Sequence, residues 1–155
     1  MRVSLRPFLE TDLPTLDTWA ASGELASYMG RWMPRCGIGP PDKVLWRVIV
    51  ADGHDVGSIW LEKEDAPENV VTLGILIGDP SMRGKGIGRQ AIRLALDEAR
   101  DVWSPHQVRL RVRAANERAI RCYTALGFRQ SEAFQRTLPG GESVDVLMMT
   151  LSPGE

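Results

Sequence analysis

The sequence predicts an α+β domain, with one mixed, mostly antiparallel sheet and helices packed on it. Three observations carry that reading. Strand and helix signals follow each other in the order β-α-α-β-β-β-α-β-α-β-β. Residues 45–77 hold three β-rich runs separated by two short turns, the pattern of an antiparallel meander. The third run then feeds a glycine-rich turn and a long helical pattern before the next strand. A strand reached through such a crossover lies parallel to the one before it.

Val3 to Phe8 opens the chain as a strand, stopped near Pro7. Thr11 or Asp12 is the expected cap of a first helix, with Pro14 in its first turn and Leu13, Leu16 and Trp19 as its apolar stripe. A second, weaker helix is expected over Glu24 to about Trp32, followed by a Gly- and Pro-rich loop from Met33 to Pro41. Trp19, Tyr28 and Trp32 crowd this region, as core or as the wall of a pocket. Leu45 to Ala51, Val56 to Glu64 and Val70 to Ile77 are the meander, with turns at 52–55 and 65–69.

After the Gly-Asp-Pro at 78–80 comes Arg83-Gly84-Lys85-Gly86-Ile87-Gly88, then a helix with Ile87, Ala91, Leu94 and Ala95 on its apolar side. Ser104-Pro105 ends that region, and Gln107 to Arg113 alternates, with Val108, Leu110 and Val112 inward and Arg109, Arg111 and Arg113 outward. Asn116 opens a short helix ending at Gly127. Arg129 to Leu138 and Ser143 to Leu151 form a closing hairpin across Pro139 to Glu142.

The length of 155 residues suits a single domain over 1–155, with no repeats, low-complexity stretches or linkers. No apolar run reaches membrane-spanning length, and MRVSLRPFLE does not read as a signal peptide, so a cytoplasmic protein is expected. Cys36 and Cys122 are far apart and lack metal-type spacing, which points to reduced thiols and no metal site. Charge is unevenly spread. Residues 81–121 hold ten of the 19 Lys and Arg but four of the 20 Asp and Glu. A basic block suits nucleic acid or one polyanionic small ligand, and its coincidence with the glycine loop favours the ligand. The acidic remainder is either solvated surface or an attraction for a cationic acceptor.

Strand, glycine-rich turn and helix together present unpaired backbone N–H groups and a positive helix end to an anion. Glycines let the backbone approach that anion, and Arg83 and Lys85 add charge. Phosphate binding is the inference. A nucleoside-triphosphate loop of the G-x-x-x-x-G-K-[ST] kind fails, because no Ser or Thr follows Lys85. Residues 86–91 fit G-x-G-x-x-A, but the acidic ribose partner expected about 20 residues on is replaced by Arg109, Arg111 and Arg113.

Residues 83–88 resemble the [QR]-x-x-G-x-[GA] pyrophosphate loop of the GNAT (GCN5-related N-acetyltransferase) superfamily. Asn116 to Tyr123, followed by Leu126-Gly127-Phe128, is similar to that family's N-x-x-A-x-x-x-Y-x-x-x-G-F segment, in the same order and spacing. The resemblance spans roughly residues 70–130. It implies the GNAT sheet, in which the two central parallel strands splay apart, and acyl transfer from acetyl-CoA straight to a primary amine. It places the pyrophosphate on the backbone of Arg83, Gly84, Lys85, Gly86, Ile87 and Gly88, and the pantetheine arm along the strand ending Leu76-Ile77. Asn116, a good helix cap in its own right, would also contact the cofactor arm. Tyr123 would protonate the departing thiolate, which a phenol held close can do.

The general base is where the chain departs from the family pattern. Thr72 and Arg111 stand at the two positions where relatives carry glutamates. Glu62 is the substitute expected here, acting directly or through a water. Counting back from an Asp65–Asn69 turn sets it opposite Thr72, and directly opposed residues share one face. Asp145 is the competing carboxylate. The acceptor is expected to be a small-molecule or peptide amine, with no nucleic acid or membrane partner, and the protein a monomer or homodimer. The alternative to an enzyme is a catalytically silent CoA-binding module, which the absent carboxylates permit.

Overall fold

A computed structural model describes residues 1–21 and 31–153. Its strands are β1 (Val3–Pro7), β2 (Val44–Ala51), β3 (His54–Lys63), β4 (Val70–Ile77), β5 (Gln107–Arg113), β6 (Arg129–Thr137) and β7 (Ser143–Leu151). Its α-helices among the described residues are α1 (Leu13–Ala20), α2 (Ile87–Val102) and α3 (Glu117–Ala125). All seven strands join one sheet in the order β1-β2-β3-β4-β5-β7-β6. The β4–β5 pair is parallel and every other pair is antiparallel. The α+β expectation is met, and so is the parallel crossover through α2.

The parallel pair is also incomplete. β4 and β5 are matched at Val70–Gln107, Val71–Val108 and Thr72–Arg109 and nowhere beyond. From Leu73 to Ile77, β4 pairs only with β3, while β5 from Leu110 onward pairs only with β7. The sheet therefore opens in its middle like a V.

Alternation along the strands sorts side chains onto two faces. One face holds Ile49, Ile59, Leu61, Val71, Leu73, Val108, Leu110 and Val112, covered by Ile87, Ala91, Ile92, Ala95 and Ala99 of α2, with Ala119, Ile120 and Tyr123 of α3 packed alongside. The other face holds Val44, Trp46, Val48, Trp60 and Leu76, covered by Phe8 and by Leu16 of α1. Phe8 stacks flat on Trp46 at 3.7 Å between ring centres, and the Trp46 indole N–H donates to Ser58 Oγ at 2.7 Å.

Several local expectations shift. In α2 Ile87, Ala91 and Ala95 face inward as expected, but Ile92 joins them in place of Leu94, which is 39% exposed. The turn after β2 is tighter than expected. Asp52 and Gly53 take φ of 48° and 82°, the pattern of a two-residue hairpin turn, which extends β3 back to His54. Asp12 occupies the cap position of α1 without capping it. Its carboxylate instead accepts the Leu9 N–H at 2.9 Å and pairs with Arg6 at 2.8 Å. The expected second helix falls on residues 22–30, outside the described residues, and Trp32 beyond them is not helical.

Candidate active site

The glycine-rich loop at residues 83–88 comes first. Gly84 and Gly86 adopt φ of 75° and 79°, left-handed values that L side chains rarely take. Gly86 occupies the cap position of α2 and offers no side-chain cap. The N–H groups of the first helical turn therefore have no partner within the helix. A Cβ built at Gly86 meets nothing within 4 Å, and one at Gly84 meets only the Arg118 guanidinium at 3.7 Å. Open space over unpaired donors at a helix N-terminus is what an anion needs. The residues fit the pyrophosphate of acetyl-CoA. Lys85 is exposed and does not line the adjoining cavity, so of the expected cofactor residues it contributes charge alone. The Ile87 side chain is buried in the core, which leaves its backbone for a ligand.

A cavity of about 1200 Å³ runs from this loop into the opening between β4 and β5. Leu76 and Ile77 line it, but Leu76 buries its side chain on the α1 face, so the ligand meets strand edge there. Arg83 also lines the cavity, and its Nε donates to the Ile77 carbonyl at 3.3 Å. Backbone groups of β4 beyond Thr72 have no ladder partner on the β5 side, and an extended amide-bearing ligand can pair with them.

Across the opening stands α3. Asn116 caps it, with Oδ1 accepting the Ala119 N–H at 3.3 Å, and also lines the cavity. Tyr123 follows two turns on, half-buried, lining the cavity and tilted against Phe128 at 6.0 Å between ring centres. Burial pushes the phenol pKa well above its ordinary value, with the neighbouring Cys122 adding to the shift. Tyr123 therefore keeps its proton throughout the neutral range, as a proton donor must. The Cys122 thiol is raised above its ordinary pKa by its own burial, which disfavours the reactive thiolate.

Glu62 requires a correction. The register is as counted, with Glu62 opposite Thr72 and Lys63 opposite Val71. The carboxylate, however, is 4% exposed and is not part of the cavity wall. Its two oxygens accept the backbone N–H groups of Arg35 and Cys36, each at 3.0 Å. Burial alone would raise its pKa, but these N–H donors together with the Arg35 charge hold it below the ordinary glutamate value. Glu62 anchors the 34–36 loop. The carboxylate that reaches the cavity from β3 is Glu64, two residues on and on the same face. Thr72 Oγ1 donates to Glu64 Oε1, and Arg35 pairs with Oε2 at 2.9 Å. Despite partial burial, those two partners lower its pKa, so it is ionised at neutral pH. Glu64 thus stands beside the position where relatives carry their glutamate. The sequence held the signal, since the register that faces Glu62 toward Thr72 faces Glu64 the same way. Asp145 lies elsewhere, near Gln135 at 3.4 Å and outside the cavity wall.

The wall near Glu64 holds further residues that the sequence did not single out. Trp60 faces Gly74, and its indole lies across the glycine so closely that a Cβ there would sit 2.0 Å from the ring. Arg31 and Arg35 enter from the loop before β2 and Arg109 and Arg111 from β5, while Arg136 of β6 lines the cavity at its far, open end.

The fold is shared with known enzymes. The spermidine N-acetyltransferase from Vibrio cholerae, solved with CoA and spermine, superposes with a TM-score of 0.80 at 21% identity, over 97% of this chain and 95% of that one. An aminoglycoside acetyltransferase solved with coenzyme A and kanamycin gives 0.76 at 20% identity, over 98% and 95%. A domain from Methanocaldococcus jannaschii gives 0.73 at 17% identity, over 97% and 98%. No curated protein sequence matches the chain. The sequence profile of the Acetyltransferase (GNAT) family does match, over residues 9–128, and the chain belongs to that family.

Proposed function

We propose that the protein transfers the acetyl group of acetyl-CoA directly to a primary amine, with Tyr123 as general acid and Glu64 as general base. The observation that carries this reading is one cavity lined by the glycine loop, the unpaired edge of β4, Tyr123 and Glu64. Acetyl-CoA supplies an activated thioester. Backbone N–H groups of residues 84–88 hold its phosphates, and Arg83 and Arg89 line the same end. The edge of β4 holds the arm in extended form and aims one N–H at the acyl oxygen, where charge develops during attack. Glu64, ionised and steadied by Thr72, takes the proton that the amine loses on attack. The Tyr123 hydroxyl gives its proton to the departing sulfur. No covalent enzyme intermediate is required.

The test is CoA release from acetyl-CoA with a broad amine panel, alongside calorimetric titration of acetyl-CoA. Binding together with amine-dependent release supports the proposal. Binding with no release for any amine makes the chain a silent CoA-binding module, and absence of binding removes the reading altogether.

A further inference from the structure

Resting on that reading, we infer that the acceptor amine also carries an oxyanion, a carboxylate or a phosphonate, which the arginines at the Glu64 end of the cavity hold. Four arginines line this end: Arg31, Arg35, Arg109 and Arg111. Opposing them among the described residues are two carboxylates, Glu62 and Glu64, and Arg35 engages both, at 3.5 and 2.9 Å. Arg31 reaches Glu62 only at 3.8 Å. Arg109 Nε is bound to the neutral Gln107 side chain at 2.7 Å. Arg111 pairs with no carboxylate among the described residues. Arg111 is instead held with its guanidinium 5.5 Å from the Phe134 ring centre, an arrangement that fixes the fork while leaving its N–H groups available.

The four arginines outnumber the two carboxylates at this end. Burial holds the Arg31 pKa down, while Glu62 and Glu64 raise it against the charges of Arg35 and Arg111. A polycation entering this end would meet repulsion. A planar oxyanion would meet guanidinium forks of matching geometry.

A second observation points the same way. The Trp60 side chain is 3% exposed, lines the cavity, and its indole N–H has no hydrogen-bond partner among the described residues. A buried donor left without an acceptor costs about 1–3 kcal/mol, so native structures rarely keep one idle. A ligand oxygen at this wall would satisfy it. Glu64 then receives the ammonium proton of the acceptor while the arginines hold its anion, which fixes a zwitterionic amine in one orientation.

The experiment compares kcat/KM for acidic amines (glutamate, aspartate and aminoalkylphosphonates as separate arms) with spermidine and kanamycin, in the parent and in Arg111→Gln and Arg109→Gln. Expected is a preference for at least one acidic arm. Each substitution should raise its KM about 10-fold or more, with kcat little changed and acetyl-CoA affinity unaltered. The carboxylate and phosphonate arms identify which oxyanion is read. If spermidine or kanamycin exceeds every acidic amine, or if both variants keep the parent KM, the inference is overturned while the acetyltransferase reading stands. Acetyl-CoA binding with no turnover of any acidic amine overturns it as well. Loss of acetyl-CoA binding in the parent is a different failure, that of the reading beneath it.

Discussion

Gly88 offers a test that separates ligand affinity from stability. It is the second residue of α2, lines the cavity, and does not share the left-handed backbone of Gly84 and Gly86. A Cβ placed there meets only the Ile75 Cδ1 methyl at 3.8 Å, an ordinary contact. The fold therefore accepts alanine, and removing backbone freedom from the unfolded chain stabilises by about 0.4–1 kcal/mol. For a protein of this size, that raises Tm by about 1–4 °C. Helical Cβ atoms tilt toward the N-terminus, so a larger side chain projects to where an anion on the first-turn N–H groups would sit. The loop pattern admits Gly or Ala at this position, so Gly88→Ala should bind acetyl-CoA much like the parent, whereas the branched side chain of Gly88→Val should lower affinity about 10-fold, or about 1.4 kcal/mol. Gly86→Val would weaken binding too, but its φ of 79° strains any side chain, so misfolding and lost contact would be confounded. The assay is calorimetric titration beside thermal melts of the ligand-free variants. A Gly88→Val protein that melts normally and binds acetyl-CoA like the parent would refute the pyrophosphate assignment.

Tyr123→Phe keeps the packing on Phe128 and removes the proton donor, so kcat should fall roughly 10²-fold with cofactor affinity unchanged. Parental turnover would reduce Tyr123 to a packing residue. Glu64→Gln should lose about 10²-fold near neutrality and recover in part at high pH, where the amine deprotonates unaided; an unchanged pH–rate profile rules Glu64 out as the base. Glu62→Gln should act on stability instead. One anchored N–H of the 34–36 loop loses its acceptor, costing about 1–3 kcal/mol. Because the folded pKa of Glu62 lies below its ordinary value, its contribution is complete above about pH 4.3 and fades as pH falls through the folded value. Melts across acid pH should therefore converge for parent and Glu62→Gln, and a constant gap down to pH 2 would contradict the anchor. Gly74→Ala drives a methyl into the Trp60 indole and should destabilise by about 1–3 kcal/mol, read by denaturant titration; a neutral result would mean the ring is not seated there.

Much of this was legible because it is local or periodic. The β3–β4 turn sets a register that can be counted, and Glu62 does oppose Thr72. The glycine loop announces itself by its residues, and Asn116 caps α3 as its position suggests. What stayed hidden is tertiary. Nothing near Glu62 in sequence shows that the N–H groups of Arg35 and Cys36, some 26 residues away, consume its oxygens. The choice of Ile92 over Leu94 beside Ile87, Ala91 and Ala95 depends on how α2 rolls on the sheet, which a helical stripe alone does not fix. Alternation put Arg109 and Arg111 on the outward side of β5, but outward there means the wall of a cavity. That follows only from the splay and from the loop that brings Arg31 and Arg35 across.

The three-residue match between β4 and β5 has a thermodynamic consequence. Strands β1 to β4 form one antiparallel unit, and β5, β7 and β6 form another. The backbone ladder joins the two only at the closed end of the V. Any extended ligand that fills the gap supplies inter-strand bonds that the chain itself does not make, so it acts as a removable strand between two half-sheets. Ligand occupancy and cohesion of the sheet then become one quantity. At a ligand concentration 100 times its Kd, mass action adds about 2.7 kcal/mol to unfolding. A protein built this way draws part of its resistance to unfolding from the metabolite pool around it.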